Sequence, residues 1–240
     1  MTIGASGAAA RGGQPLLIVT GLLREARIAA GPGMTVICSS SDPRQLRAQL
    51  AAFNPASVRG IISFGVAGGL CPSLQPGDVV IASKVVTAEK CWLASTAFNA
   101  ELTASLDVGH RKVLQGILVG VEQVVCDQRA KAALRHATGA VAVDMESHIA
   151  ADYAEAMELP FAALRVVSDP ATRNLPTLAI DALKPNGNID AWKVLRGIAR
   201  RPDVIPSLMR TARDFNQAID ALRGCRSLLL GGERLVAADI

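Results

Sequence analysis

Short, unbroken apolar runs bounded by Gly, Pro or charge dominate this chain: Leu16–Thr20, Met34–Cys38, Gly60–Phe64, Val79–Ala82, Val113–Val119, Ala140–Val143 and Phe161–Val167. None alternates apolar with polar residues, so each reads as a strand covered on both faces of a sheet. Between them the spacing becomes helical, over Pro43–Phe53 (Leu46 and Leu50 four apart), Ala97–Leu106, Arg129–Ala137 and Ser147–Met157. This alternation predicts an α/β fold, a three-layer α/β/α sandwich around a central mixed, mostly parallel sheet. Beyond Pro170 only helical patterns remain, Ile189–Ala199 and Asp203–Leu222, the second with Asp203 as its expected cap. Residues 1–14 read as a disordered tail and 15–240 as one domain, with no internal repeat.

Composition narrows the picture. The chain has 240 residues, half of them hydrophobic and 3% aromatic, so a sizeable core must rest on Ala, Val, Leu and Ile. The net charge is +4, with Arg196, Arg200, Arg201, Arg210, Arg213, Arg223 and Arg226 gathered near the C-terminal end. Such a surface is either plainly solvated or suited to anionic lipid, which would allow peripheral membrane association. It lacks interleaved aromatics and any nucleic-acid module, so no nucleic-acid partner is expected. Five scattered cysteines without metal spacing read as reduced, mostly buried thiols. Leu16–Leu23 is followed, not preceded, by charge, and falls far short of the ~20 residues that span a bilayer. The expectation is a soluble, cytoplasmic protein.

Candidate chemistry sits at the C-terminal ends of the predicted strands, where open α/β sheets gather their sites. Glu25, the Gly65–Leu70 segment, Glu146 and Asp169 all fall there. Gly-x-x-Gly-Gly followed by Pro72 and Pro76 is not a dinucleotide fingerprint, which needs Gly-x-Gly-x-x-Gly opening a helix. It reads as a tight turn or as a close approach to a ligand. Glu146 could hold two neighbouring hydroxyls or simply favour a helix N-terminus. Asp169 could be a proton donor or a turn residue before Pro170. His110, His136 and His148 form no catalytic set and read as structural; no nucleophile elbow or metal spacing occurs, and no metal or cofactor is expected.

Gly65-Val-Ala-Gly-Gly-Leu70, Val143-Asp-Met-Glu146 and Val167-Ser-Asp169, in this order, resemble the purine nucleoside phosphorylase and nucleosidase superfamily. Its members break the bond between a purine and a ribose. The resemblance implies that Glu146 binds the ribose 2′- and 3′-hydroxyls while Met145 packs on the sugar, beside Gly68 and Val66. Asp169, oriented by Ser168, would be the acid at purine N7, its pKa raised by the apolar strand before it. Glu25 stands where hydrolytic members activate water. Phosphate is the one co-substrate to weigh, and Gly21 with Arg24 would hold it. The phosphorylase phrase Arg-x-Gly-Ser reads Ser63-Phe-Gly65-Val66 here, which favours water. Val124 and Val125 would clamp the base, with Glu122 or Gln123 adding a hydrogen bond.

The phrases Leu183–Asp190, Ala199-Arg-Arg-Pro202 and Leu208–Asp214 resemble the hopanoid-associated phosphorylase branch. That branch implies a lipid-linked substrate, adenosylhopane, losing adenine. A 5′-methylthioadenosine/S-adenosylhomocysteine-type nucleosidase, a purine nucleoside phosphorylase and a non-catalytic nucleoside-binding protein stay open as alternatives. The resemblance also implies a homo-oligomer.

Overall fold

The computed structural model describes residues 13–104, 111–176, 178 and 202–230. The expected helix Ile189–Ala199, the Leu183–Asp190 phrase, His110, Arg196, Arg200 and Arg201 lie outside the described residues, as do residues 1–12 of the expected tail. Gln14, assigned to that tail, donates from Nε2 to the Ala56 carbonyl at 2.8 Å.

In chain order the elements are β1 (Leu16–Thr20), α1 (Leu23–Ala29), β2 (Met34–Cys38), α2 (Pro43–Ala51), β3 (Gly60–Gly69), β4 (Val79–Val86), β5 (Cys91–Leu93), α3 (Thr96–Ala104), β6 (Val113–Gly120), α4 (Gln128–Thr138), β7 (Ala142–Asp144), α5 (Ser147–Ala156), β8 (Phe161–Asp169), α6 (Ile205–Gly224) and α7 (Arg226–Leu230). The seven predicted strands are present. The expected α/β fold with a mixed sheet is what the chain builds. Three differences matter. The Gly-rich segment is no loop, because β3 runs on to Gly69. The short α1 and β5 fell below the length that periodicity can reveal. Asp203 lies in a single 3-10 turn, Pro202–Val204, and Val204 rather than Asp203 is the capping position of α6.

Strand faces alternate, and that places a core on each side of the sheet. Leu17, Val19, Ile61, Phe161, Ala163 and Val167 pack with Leu46 and Leu50 of α2 and Ile149, Ala150 and Ala154 of α5. Leu16, Ile18, Ile62, Phe64, Ala162, Leu164 and Val166 pack with Ile28 of α1, Phe98 and Leu102 of α3, and Ile219 and Leu222 of α6. A wholly buried Leu17 or Ile18 contributes roughly 1.5–3 kcal/mol. Of the five free cysteines, Cys225 is buried, Cys91 is exposed and the other three are half-buried, so the thiols are less enclosed than expected.

Connectivity positions the site. β1 and β2 extend the sheet from β3, and β5 adds to β4. The strands β3, β8, β4, β6 and β7 pair in turn, and β7 returns to β3 through Gly68 opposite Val143. This part of the sheet therefore closes into a ring. Within it the β3–β8 register slips between Ala67 and Gly68, which face Val167 and Asp169. Ser168 is the extra residue of a β-bulge, and bulges re-aim side chains. Here the bulge sets Asp169, not Ser168, opposite Gly68.

Candidate active site

The centre of the site is a cation that sequence reading passed over. Arg165 sits midway along the apolar β8 and is 1% exposed. Its Nη2 donates to Ser63 Oγ at 2.6 Å, forms an ion pair with Asp144, and lies 3.5 Å from Glu146 Oε2. Its Nη1 donates to the Val66 carbonyl at 3.4 Å, and Nε reaches Ser147 Oγ at 3.3 Å. A buried guanidinium needs such partners to offset its lost hydration. The available signal was the lone charge in the apolar run Phe161–Val167, which must be paired if the strand is buried.

Glu25, in the first turn of α1, is wholly enclosed. Oε2 accepts from the backbone N–H groups of Gly21 and Leu22, at 2.9 and 2.8 Å, and Oε1 accepts from Val66 N–H at 2.8 Å. Burial pushes its carboxyl above the ordinary range, against the opposing pull of Arg165 and these three hydrogen bonds. Glu146 occupies the N-terminal cap position of α5, yet its side chain caps nothing. The helix start is held instead by Asp144, whose Oδ2 accepts from Ser147 N–H at 3.0 Å. The carboxylate of Glu146 is thus left to the site, where Ser39 Oγ lies 3.5 Å from Oε1. Burial pushes it up to about 7, with the charges of Asp144 and Glu25 adding and Arg165 opposing.

Close packing makes room for these groups. A β-carbon at Gly21 would lie 2.6 Å from Glu146 Oε1, and one at Gly65 would lie 2.6 Å from Arg165 Nη1 and 2.7 Å from Glu25 Oε1. After β2 the chain turns through Ser40 and Ser41, whose φ values of 52° and 61° are left-handed and costly for residues with a β-carbon. The turn is fixed by Ser41 N–H donating to the Gly21 carbonyl at 2.8 Å, and it brings Ser39 to Glu146.

Asp169 lies at the far end of β8 and is 8% exposed. Ser168 Oγ stands 2.9 Å from its Oδ1, the partnership expected from sequence. Its surround also holds a cation that the sequence reading did not expect. Lys131 of α4, fully buried, forms an ion pair with Asp169 Oδ2. Gly68 passes beside the same carboxylate, since a β-carbon there would lie 3.4 Å from Oδ2.

Other expected residues are placed differently. Arg24 is exposed and turned to α6, over the Phe215 ring at 5.6 Å and towards Asn216 Oδ1 at 3.3 Å, rather than towards Gly21 as the phosphate expectation required. The N–H of Gly21 is already given to Glu25, which removes the second half of that pocket. Met145, Val66 and Val125 are half-buried and Val124 is exposed. Glu122 is taken by Arg47 and by His148 Nε2, the latter at 2.9 Å, which hold it down at about 2, and it borders a separate cavity of about 810 Å³ between α2 and α5. His148 itself is buried. Among the described residues no cluster of His, Cys, Asp and Glu could hold a metal, and no helix is long and apolar enough to cross a membrane.

These features coincide with a known class. Residues 12–189 match the model of the phosphorylase superfamily, and the chain belongs to that family. A 5′-methylthioadenosine/S-adenosylhomocysteine nucleosidase of Shewanella sediminis is 29% identical over 154 residues, covering 56% of this chain and 67% of that protein. The corresponding protein of Shewanella loihica is 30% identical over 135 residues, which span 59% of its length. Among solved structures, futalosine hydrolase of Helicobacter pylori shares the fold with a TM-score of 0.66 at 15% identity, covering 93% of this chain and 98% of that one. The nucleosidase of Neisseria meningitidis in complex with methylthio-immucillin-A aligns with a TM-score of 0.65 at 15% identity over 91% of this chain and 97% of that one.

Two outcomes follow from the geometry. Gly65→Ala should displace Arg165 and Glu25 together and lower turnover at least tenfold, measured as kcat/KM beside a far-ultraviolet spectrum that confirms folding. The raised carboxyl of Glu146 makes its ionisation unfavourable to folding. That cost is absent below about 4.5, grows as pH rises towards 7 and is constant above it. The Tm of Glu146→Gln should therefore rise relative to wild type across that window; a pH-independent difference would refute the assignment.

Proposed function

We propose that the chain hydrolyses the N-glycosidic bond of an adenosine-type nucleoside, of the kind named for its Shewanella relatives. The observation that carries this reading is the seating of Glu25. An anionic nucleophile needs free N–H donors or uncommitted cations. Here the N–H groups of Gly21, Leu22 and Val66 are filled by the protein's own carboxylate, and Arg165 is engaged by Asp144. A carboxylate offers about four acceptor positions. Three are used, and the fourth, on Oε1, suits a water molecule.

In the proposed reaction Glu146 accepts hydrogen bonds from the ribose 2′- and 3′-hydroxyls. As the C1′–N9 bond lengthens, its electron pair passes to the purine and N7 takes a proton from Asp169. Positive charge grows on the ribose beside Glu146 and Glu25. Water then attacks C1′ and gives its proton to Glu25, whose carboxyl is raised by burial and is therefore a stronger base than an exposed carboxylate. Products are the free purine and the ribose.

A second reading keeps this chemistry but takes a lipid-linked substrate such as adenosylhopane, with the protein resting on a membrane. It is supported by α6, which exposes Ile205 and Met209, at 36% and 63%, beside the exposed Arg210 and Arg213. Homo-oligomeric assembly belongs to either reading.

Adenine release from 5′-methylthioadenosine and from an adenosine with a long 5′-alkyl chain, each with and without phosphate, tests both. Release from 5′-methylthioadenosine at a rate indifferent to phosphate is expected. Release from the alkyl substrate alone selects the second reading, and phosphate dependence overturns hydrolysis. Asp169→Asn should lose on the order of 10²–10⁴-fold in adenine release while still binding substrate. Binding without turnover in the wild type would make this a non-catalytic nucleoside receptor.

A further inference from the structure

Lys131 is a fully buried ammonium that the reaction outlined above does not use. All three of its N–H donors are engaged: one by Asp169 Oδ2, one by the Pro170 carbonyl at 3.1 Å and one by the Arg173 carbonyl at 3.3 Å. Binding α4 to the segment after β8 does not require it. Gln128 N–H already donates to Asn174 Oδ1 at 2.7 Å, and Leu175 N–H to the Cys126 carbonyl at 2.9 Å. Nor does fold stability call for an interior ion pair, since apolar side chains of similar volume commonly serve as well. Its contact is with the one side chain that has to deliver a proton. An ammonium in contact favours the ionised form of a carboxylate, and an ionised carboxylate has no proton to give. The other ionisable groups nearby do not replace it. The Cys126 thiol is pushed up by burial and by the charge of Asp169, and the Arg173 guanidinium is paired with Asp214 of α6.

We infer that Lys131 is the proton reservoir for leaving-group departure, acting through Asp169. This rests on the reading of Asp169 as the group that protonates N7. A proton passes from Lys131 Nζ to the Asp169 carboxylate and on to N7 as the C1′–N9 electron pair moves into the purine. Lys131 is left as a neutral amine and Asp169 again as a carboxylate. The proton that water gives to Glu25 is released to solvent, and Lys131 regains one from solvent, so the cycle balances. Lys131 touches no substrate atom and is a positioning residue.

The test compares two leaving groups on the same sugar: adenine in 5′-methylthioadenosine, and 4-nitrophenolate in the 4-nitrophenyl 5-methylthio-β-riboside, which departs without protonation. Lys131→Met should slow adenine release on the order of 10²–10⁴-fold. Nitrophenolate release and both KM values should stay within about threefold. Lys131→Gln serves if the Met variant does not fold. Equal losses with both leaving groups would make Lys131 a structural clamp and overturn the inference. Full activity in Lys131→Arg, whose side chain keeps its proton, would overturn it too. Asp169→Asn is the control. If it spares adenine release, the acid itself is misassigned; if it loses adenine release while Lys131→Met does not, the inference alone fails.

Discussion

The arrangement depends on one buried guanidinium. Arg165 draws the end of β7, the start of α5 and the middle of β3 around itself, because each supplies an acceptor that the cation requires, and its charge also acts on Glu25 in the first turn of α1. The acids outnumber it. Asp144, Glu146 and Glu25 share a single positive charge, and burial then lifts Glu25 and Glu146 above the ordinary carboxylate range. Asp144 holds the guanidinium by direct contact and so leaves the other two acids available for chemistry. The small residues of the region follow from the same crowding: Gly21, Gly65, Ser39, Ser63 and Ser147 are what fits between these heads.

The charged groups divide into two compartments. Towards the expected sugar stand surplus carboxylates; towards the expected base stands Asp169 with an ammonium behind it. In the proposed reaction the ribose becomes cationic and the departing purine anionic, so each charge would develop opposite its counterpart. Preorganised fields of this kind commonly supply the largest share of rate enhancement, since nothing needs to reorient at the transition state.

Much of this was legible in the amino-acid sequence. Unbroken apolar runs located the strands, and Glu25, Glu146, Ser168 and Asp169 fall at strand ends where the chain carries them to one region. Arg165 was missed because a single charge hardly alters the mean apolarity of a strand, although it alters the strand's chemistry. Lys131 was hidden for another reason: on an amphipathic helix a lysine ordinarily reaches solvent, and only the return of the chain at Pro170 and Arg173 encloses this one. The closure of β7 onto β3 was beyond reach, since pairing partners far apart in sequence leave no local signature. Arg24 misled because adjacency to Glu25 says nothing about direction; one step along a helix turns a side chain by about 100°.

The five-strand ring also constrains how such a site can change. Each of its strands is hydrogen-bonded on both sides, so inserting or deleting one residue in any of them must be absorbed all the way round. The slip at Ser168 is tolerated where it ends a strand, and it fixes the reach of Asp169. A new substrate would therefore be accommodated through segments that hang from the ring, such as Val121–Cys126 and Ala171–Pro176, while the bond-breaking apparatus stays in register. The fold separates what is recognised from how it is cleaved, and only the first is free to drift.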